Sequence, residues 1–241
     1  MFYPWVSVVN TCSKQMDFSP LIQKISIIAL PIIVGVIFHE IAHGWVAYKF
    51  GDPTAKEQGR LSINPLVHID LFGTIIMPLI LIFSQTGMIF GYAKPVPVNF
   101  SNLREPKKNM VWVAAAGPVT NILLAFLSGI IFRLIVLMNP YYFSWSPVLF
   151  DPLLLMLRYS VRLNLVLAVI NLIPIPPVDG GRILTGLLPS RQALAYSKIE
   201  PFGLLILVML IFFDPLGVFS GLVWPIISLL DALFLGYRFS A

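Results

Sequence analysis

Residues 38–43 read Phe-His-Glu-Ile-Ala-His, a set of residue types and spacings that can do chemistry. On a helix, positions i and i+4 share a face, so His39 and His43 point the same way with Glu40 beside them. Two imidazole nitrogens placed like this can grip one zinc ion, and the carboxylate is close enough to handle a proton. The setting sharpens the reading. No residue from Ile25 to Phe38 is charged, and an ionisable group placed in lipid costs roughly 2.5–3.5 kcal/mol on insertion scales. Three polar groups arriving together at the end of such a run call for a compensating partner such as a metal ion.

A second stretch with chemical character is Asn171-Leu172-Ile173-Pro174-Ile175-Pro176-Pro177-Val178-Asp179-Gly180-Gly181-Arg182. Its prolines and glycines must break a helix at membrane depth, where irregular backbone persists only when it lines a cavity or packs on protein. Asp179 on this turn is the expected third zinc ligand, with Asn171 nearby as a neutral donor. His68, alone on a polar turn, is a ligand, a gate residue or a structural hydrogen-bonder, and the structural role leads. Asp214 and Asp231 are rival acids without the Pro/Gly setting, and they read as interfacial or helix-packing residues.

Of the 241 residues, 58% are hydrophobic and 11% charged, with a mean hydropathy of +0.87. An integral membrane protein follows, with no sizeable soluble domain and one domain over residues 1–241. The net charge of +5 sits in short loops and reads as topology bias, not as nucleic-acid binding. The single Cys12 leaves no internal disulfide and no thiolate-rich metal site. The opening residues show no cleavable signal pattern, so the first apolar helix is expected to direct insertion.

The elements that must position these groups come next. A span is expected from about Leu21 to Phe50, with Lys49, Lys56 and Arg60 marking its C-terminal end as cytoplasmic. Gly51-Asp52-Pro53 ends it. Leu71 to Ala93 is long enough to cross, yet its flanks are both basic, so it is either a span or a re-entrant hairpin broken near Pro78 or Gly87. Residues 91–99 alternate prolines with apolar residues and read as a short extended segment with an open backbone edge, to which an extended peptide could pair. Met110–Phe132 opens with small residues and reads as a core helix, with Asn121 as packing glue. The loop 139–151 lacks Lys and Arg and reads as an outer turn. A helix from about Val148 to Leu172 carries Arg158 and Arg162, which must snorkel or pair with a carboxylate. Residues 201–213 and 216–236 are two further apolar stretches around Asp214-Pro215. The expected fold is all-α, with about six transmembrane or re-entrant helices and a short extended or β segment near the active site.

With His-Glu-Ile-Ala-His in one helix and Asn171–Gly181 at the end of another, the chain resembles the site-two proteases, the intramembrane zinc metalloproteases. The runs Asn-Pro-Leu-Val-His-Ile-Asp, Gly-Tyr-Ala-Lys-Pro-Val-Pro-Val and Ala-Gly-Pro-Val-Thr-Asn resemble its short bacterial branch, which lacks a PDZ domain. The resemblance implies one zinc ion per chain held by His39, His43 and Asp179, with Glu40 as general base and Asn171 helping to hold the scissile carbonyl. Val178 stands where the family usually has leucine. The implied activity is hydrolysis of peptide bonds in or near transmembrane segments of membrane-protein substrates. The implied location is a bacterial inner membrane, with the site nearer its cytoplasmic face. The competing readings are a metal-binding membrane transporter, which gives Glu40 no particular task, and a non-catalytic relative that only binds membrane proteins.

Overall fold

The structure is a computed structural model that describes residues 19–76, 80, 93–138, 147–215 and 217–236. Three long helices dominate it: α1 (Ser19–Lys49), α3 (Pro106–Met138) and α4 (Pro147–Asn171). Each is a long apolar run, and backbone groups in such a run are cheapest to satisfy within a helix. The shorter helices are α2 (Thr54–Glu57), α5 (Asp179–Leu187), α6 (Ser190–Ser197), α7 (Glu200–Phe213) and α8 (Trp224–Leu235). A π-helical turn, Phe219–Val223, leads into α8.

Helices α1, α3 and α4 each pack on the other two, α5 lies along α3, and α8 covers α3 and α4 from the other side. The larger core joins α3, α4 and α8 through Ala125, Val161, Leu165, Val223 and Ile227. A smaller one, Ala47, Leu103 and Val113, seals the end of α1 against α3. Large apolar side chains also cover the outside: Leu30, Trp45, Leu123, Leu127 and Leu137 are all more than half exposed. Water would penalise so continuous an apolar surface, whereas lipid would not.

Helices α1 and α4 match the sequence expectation to within two residues at each end, whereas α3 begins four residues earlier and ends six residues later than expected. The expected number of crossings is not confirmed. Among the described residues, three helices are long and apolar enough to cross a membrane, or four if α6 and α7, bent by 65°, form one broken span. Helices α7 and α8, with 14 and 12 residues, are each shorter than the ~20 that a full crossing of a bilayer core requires. Most of the stretch 71–93, expected to span or re-enter, lies outside the described residues. Among the described residues there is no β-strand, and 93–99 carry no regular secondary structure. Their sequence explains why: Pro95 and Pro97 have no N–H, so a continuous ladder cannot form.

Two buried charges fasten this segment instead. Asp52, fully buried just after α1, accepts hydrogen bonds from Thr54 N (3.2 Å), Thr54 Oγ1 (2.5 Å), Asn99 N (2.7 Å) and Asn102 Nδ2 (3.0 Å). Burial alone would raise its pKa, but the bonds from Thr54, Asn102 and Asn99 outweigh it and hold the carboxyl below its usual range. Arg60, also buried, donates to the carbonyls of Val67, Lys94 (2.8 Å) and Pro95 (3.2 Å). Lys94 N donates to His68 O at 2.9 Å. Segment 93–102 is thereby strapped over the end of α1.

Candidate active site

The fold brings the C-terminal half of α1 and the first turn of α5 onto one face of α3. His39 Nε2 and His43 Nε2 are 3.0 Å apart. Asp179 Oδ2 lies 3.1 Å from the first and 3.2 Å from the second. These are the three residues expected to bind metal, and among the described residues they form the one group of His, Cys, Asp or Glu side chains able to share an ion.

Local sequence explains each placement. The helical i, i+4 spacing stacks the two imidazoles edge to face, with ring centroids 4.6 Å apart. Asp179 opens α5 because the chain turns back sharply between Asn171 and Gly181, with a cis Pro176–Pro177 bond. The turn is so tight that a Cβ at Gly180 would collide with the carbonyls of Leu172 and Ile173. Tyr196 Oη in α6 donates to Pro174 O at 2.7 Å and braces it from outside. On α3, Gly117 leaves space for both rings, since a Cβ there would fall 2.6 Å from His39 Nε2.

The hydrogen bonds around the rings reveal what the three groups can hold. His43 Nδ1 donates to Val113 O at 2.7 Å. His39 Nδ1 lies 2.5 Å from Asn121 Oδ1. With the proton on Nδ1, each neutral ring directs the lone pair of Nε2 toward the other and toward Asp179. Asp179 Oδ2 is buried and receives no hydrogen bond. Three acceptors within about 3 Å of one another repel unless a cation sits among them, and the two-imidazole, one-carboxylate set is that of a zinc site with an open position. The residues present therefore fit a zinc ion.

A cavity of about 210 Å³ opens beside these groups and is lined also by Glu40, Val96, Asn171 and Arg182. Glu40 Oε2 accepts a hydrogen bond from Val96 N at 2.7 Å. Val96 stands between two prolines and so offers the one N–H available there. Asn171, the last residue of α4, faces the same cavity and spends one hydrogen of Nδ2 on Leu167 O at 2.9 Å.

Other residues singled out by sequence lie elsewhere. His68 donates through Nε2 to Ser62 O at 2.8 Å and takes no part in the three-ligand group, in keeping with a structural role. Asp214 caps the turn into the final helical segment by accepting from Phe219 N and Ser220 N, each at 2.8 Å. Asp231 shares a small cavity in the bundle with Arg162. Sequence reasoning took Asn121 for packing glue, and it missed Gly117, Val96, Asp52 and Arg60. Gly117 and Asn121 carried a signal in their i, i+4 spacing, which places a space and an amide on one face of an uncharged stretch of helix.

Comparison with known proteins agrees with this geometry. The Bacillus subtilis protein named "Putative zinc metalloprotease YwhC" is 41% identical over 201 residues, covering 83% of this chain and 85% of its own. "Putative zinc metalloprotease MJ0611" of Methanocaldococcus jannaschii is 32% identical over 169 residues, 70% of this chain and 73% of its own. "Putative zinc metalloprotease Rip2" of Mycobacterium tuberculosis is 28% identical over 202 residues, 82% of this chain and 71% of its own. No solved structure matches the chain significantly. The family model described as peptidase family M50 matches residues 27–213, a stretch that runs from within α1 to the end of α7 and takes in every residue of the cluster. On that match and the Bacillus likeness, this integral membrane protein belongs to peptidase family M50.

Proposed function

We propose that the chain is an intramembrane zinc metalloendopeptidase that hydrolyses peptide bonds in or beside the transmembrane segments of membrane-protein substrates. The reading rests above all on one observation: three lone-pair donors, from buried His39 and Asp179 and partly buried His43, converge in a cavity that also holds Glu40, within helices whose outer faces are apolar. The whole chain, 1–241, acts as a single protease domain in a bacterial inner membrane. Lys49 closes α1 and Lys56 and Arg60 follow it, which supports a site toward the cytoplasmic side.

A zinc ion bound by His39, His43 and Asp179 would supply a position for water and lower that water's pKa toward ~7. The protein's own groups do the rest. Glu40 has one carboxylate oxygen engaged by Val96 N–H, and its other oxygen has no hydrogen-bond partner among the described residues. The free oxygen takes a proton from the attacking water and returns it to the leaving amide nitrogen. Asn171 has a second Nδ2 hydrogen left for the scissile carbonyl oxygen, a contact typically worth ~10²–10³ in rate. Asn121 and Val113 O keep the two imidazoles turned inward throughout. The substrate must reach this cavity unwound, because a carbonyl engaged in a helical ladder cannot be polarised here.

The test is zinc content measured beside cleavage of a model transmembrane peptide in detergent, for wild type, Glu40→Gln and Asp179→Asn. Stoichiometric zinc in wild type and Glu40→Gln, weakened zinc in Asp179→Asn, and cleavage by wild type alone are expected. Gln keeps an acceptor for Val96 N–H, so the strap stays in place while the base is lost. Turnover surviving in Glu40→Gln would overturn the mechanism, and zinc unaffected by Asp179→Asn would remove the third ligand.

A further inference from the structure

Asn121 is fully buried in α3, one helical turn beyond Gly117. Its Nδ2 reaches two acceptors, Gly35 O at 3.1 Å and Asn164 Oδ1 at 2.7 Å. A backbone carbonyl can only accept, so Gly35 O decides which end of the Asn121 amide carries nitrogen. Asn164 is set in the same way, because its Nδ2 donates to Ser160 O at 2.9 Å and leaves its oxygen facing Asn121. Both amides are thus locked by carbonyls. The remaining end of Asn121, Oδ1, points at His39 Nδ1. Only a His39 ring with its proton on Nδ1 can satisfy that oxygen, and the neutral ring with that tautomer carries its lone pair on Nε2, toward Asp179 and His43.

We propose that Asn121 is a positioning residue of the metal centre: its amide, locked by Gly35 and Asn164, selects the His39 tautomer that can ligate. This rests on the zinc reading of the site. An amide that merely joined α3 to α4 would need its bond to Asn164 and nothing further. The bond to the far ring nitrogen of a ligand adds nothing to that joint, but it orients the ring and raises its basicity.

The experiment is a zinc affinity measurement on the purified full chain in detergent, by competition with a chromophoric chelator, with no substrate present. Wild type, Asn121→Leu and Asn121→Asp are compared, and the unfolding temperature of each metal-free protein is recorded alongside. Leu keeps the volume and removes the acceptor, so zinc should bind about 10–100-fold more weakly. Asp keeps an oxygen for His39, so its affinity should stay near that of wild type. Its second oxygen faces Gly35 O and Asn164 Oδ1, so its metal-free form should melt earlier. Affinity and stability then move apart, which a purely structural residue would not allow. If Asn121→Leu does not fold, Asn121→Ala removes the same acceptor without filling the space. Wild-type affinity in the Leu or Ala variant, or an equal loss in Asn121→Asp, would overturn the assignment while leaving the zinc reading intact. A wild-type chain that binds no zinc would overturn both.

Discussion

Replacing Gly117 with alanine should damage the active site far more than the fold. In most helix interiors this change stabilises, by roughly 1 kcal/mol, because alanine restricts the unfolded chain. At Gly117 the new Cβ would fall nearest to His43 Nε2 and 2.6 Å from His39 Cε1 and Nε2, so it would lie at least about 0.8 Å inside the ordinary contact distance of 3.4 Å. The rings cannot swing away cheaply, because Asn121 Oδ1 and Val113 O hold their Nδ1 atoms at 2.5 and 2.7 Å. Helices α1 and α3 must therefore part. Overpacking of this size costs about 1–3 kcal/mol, partly offset by the propensity gain, so the variant should fold. Catalysis is less forgiving, since a misplacement of about 1 Å in a catalytic constellation costs on the order of 10²-fold. The assay is kcat/KM on a transmembrane peptide, with zinc content and thermal unfolding measured on the same samples. Gly221→Ala, where a Cβ would meet nothing within 4 Å, is the control and should leave all three unchanged. Wild-type cleavage with full zinc in Gly117→Ala, or an equal loss in Gly221→Ala, would refute the close-approach reasoning.

Stripping divalent ions with a chelator should abolish cleavage, and zinc added back should restore it; cleavage that persists in metal-free protein would end the metalloprotease reading. Asp52→Asn should remove about 1–3 kcal/mol at neutral pH, because an amide nitrogen would face donors that now bind a carboxylate. Since the folded carboxyl titrates below its unfolded value of 3.8, its stabilisation is complete above that value and is lost as pH falls through the lower, folded one. Chemical denaturation across the acid range should therefore show a steeper decline for wild type than for Asp52→Asn. Arg60→Met should cost about 1–3 kcal/mol by leaving the carbonyls of Val67, Lys94 and Pro95 without a donor. It should also loosen Val96 from Glu40, so kcat/KM should fall while zinc content holds, and unchanged kcat/KM would separate the strap from the base.

The short-range part of this protein was legible in its residues. Helical periodicity alone places His39, Glu40 and His43 on one face, whatever packs against them. The apolar runs made α1 and α4 readable to within two residues at each end and located the middle of α3, because a long uncharged stretch has one cheap way to satisfy its backbone. The prolines and glycines of 171–181 marked a break, and with it Asp179, for the same local reason. The clustered polar groups in an apolar run pointed to a metal before any partner was known.

What sequence could not decide were questions of distance across the fold. That Asp179 closes on His39 and His43, some 140 positions earlier in the chain, depends on α5 packing along α3. Asn121 looked like packing glue because its role depends on Gly35 and Asn164, each on another helix, which together turn its oxygen toward His39. The proline-rich segment looked like an open edge, but prolines withhold the donors a strand needs. Asp52, read as part of the turn that ends the first helix, and Arg60, read as a marker of its cytoplasmic end, hold it down instead. Local chemistry is written in neighbouring residues because chain geometry holds them within reach of one another. Which buried polar group meets which partner was settled only when the helices packed and each acceptor had to find its donor.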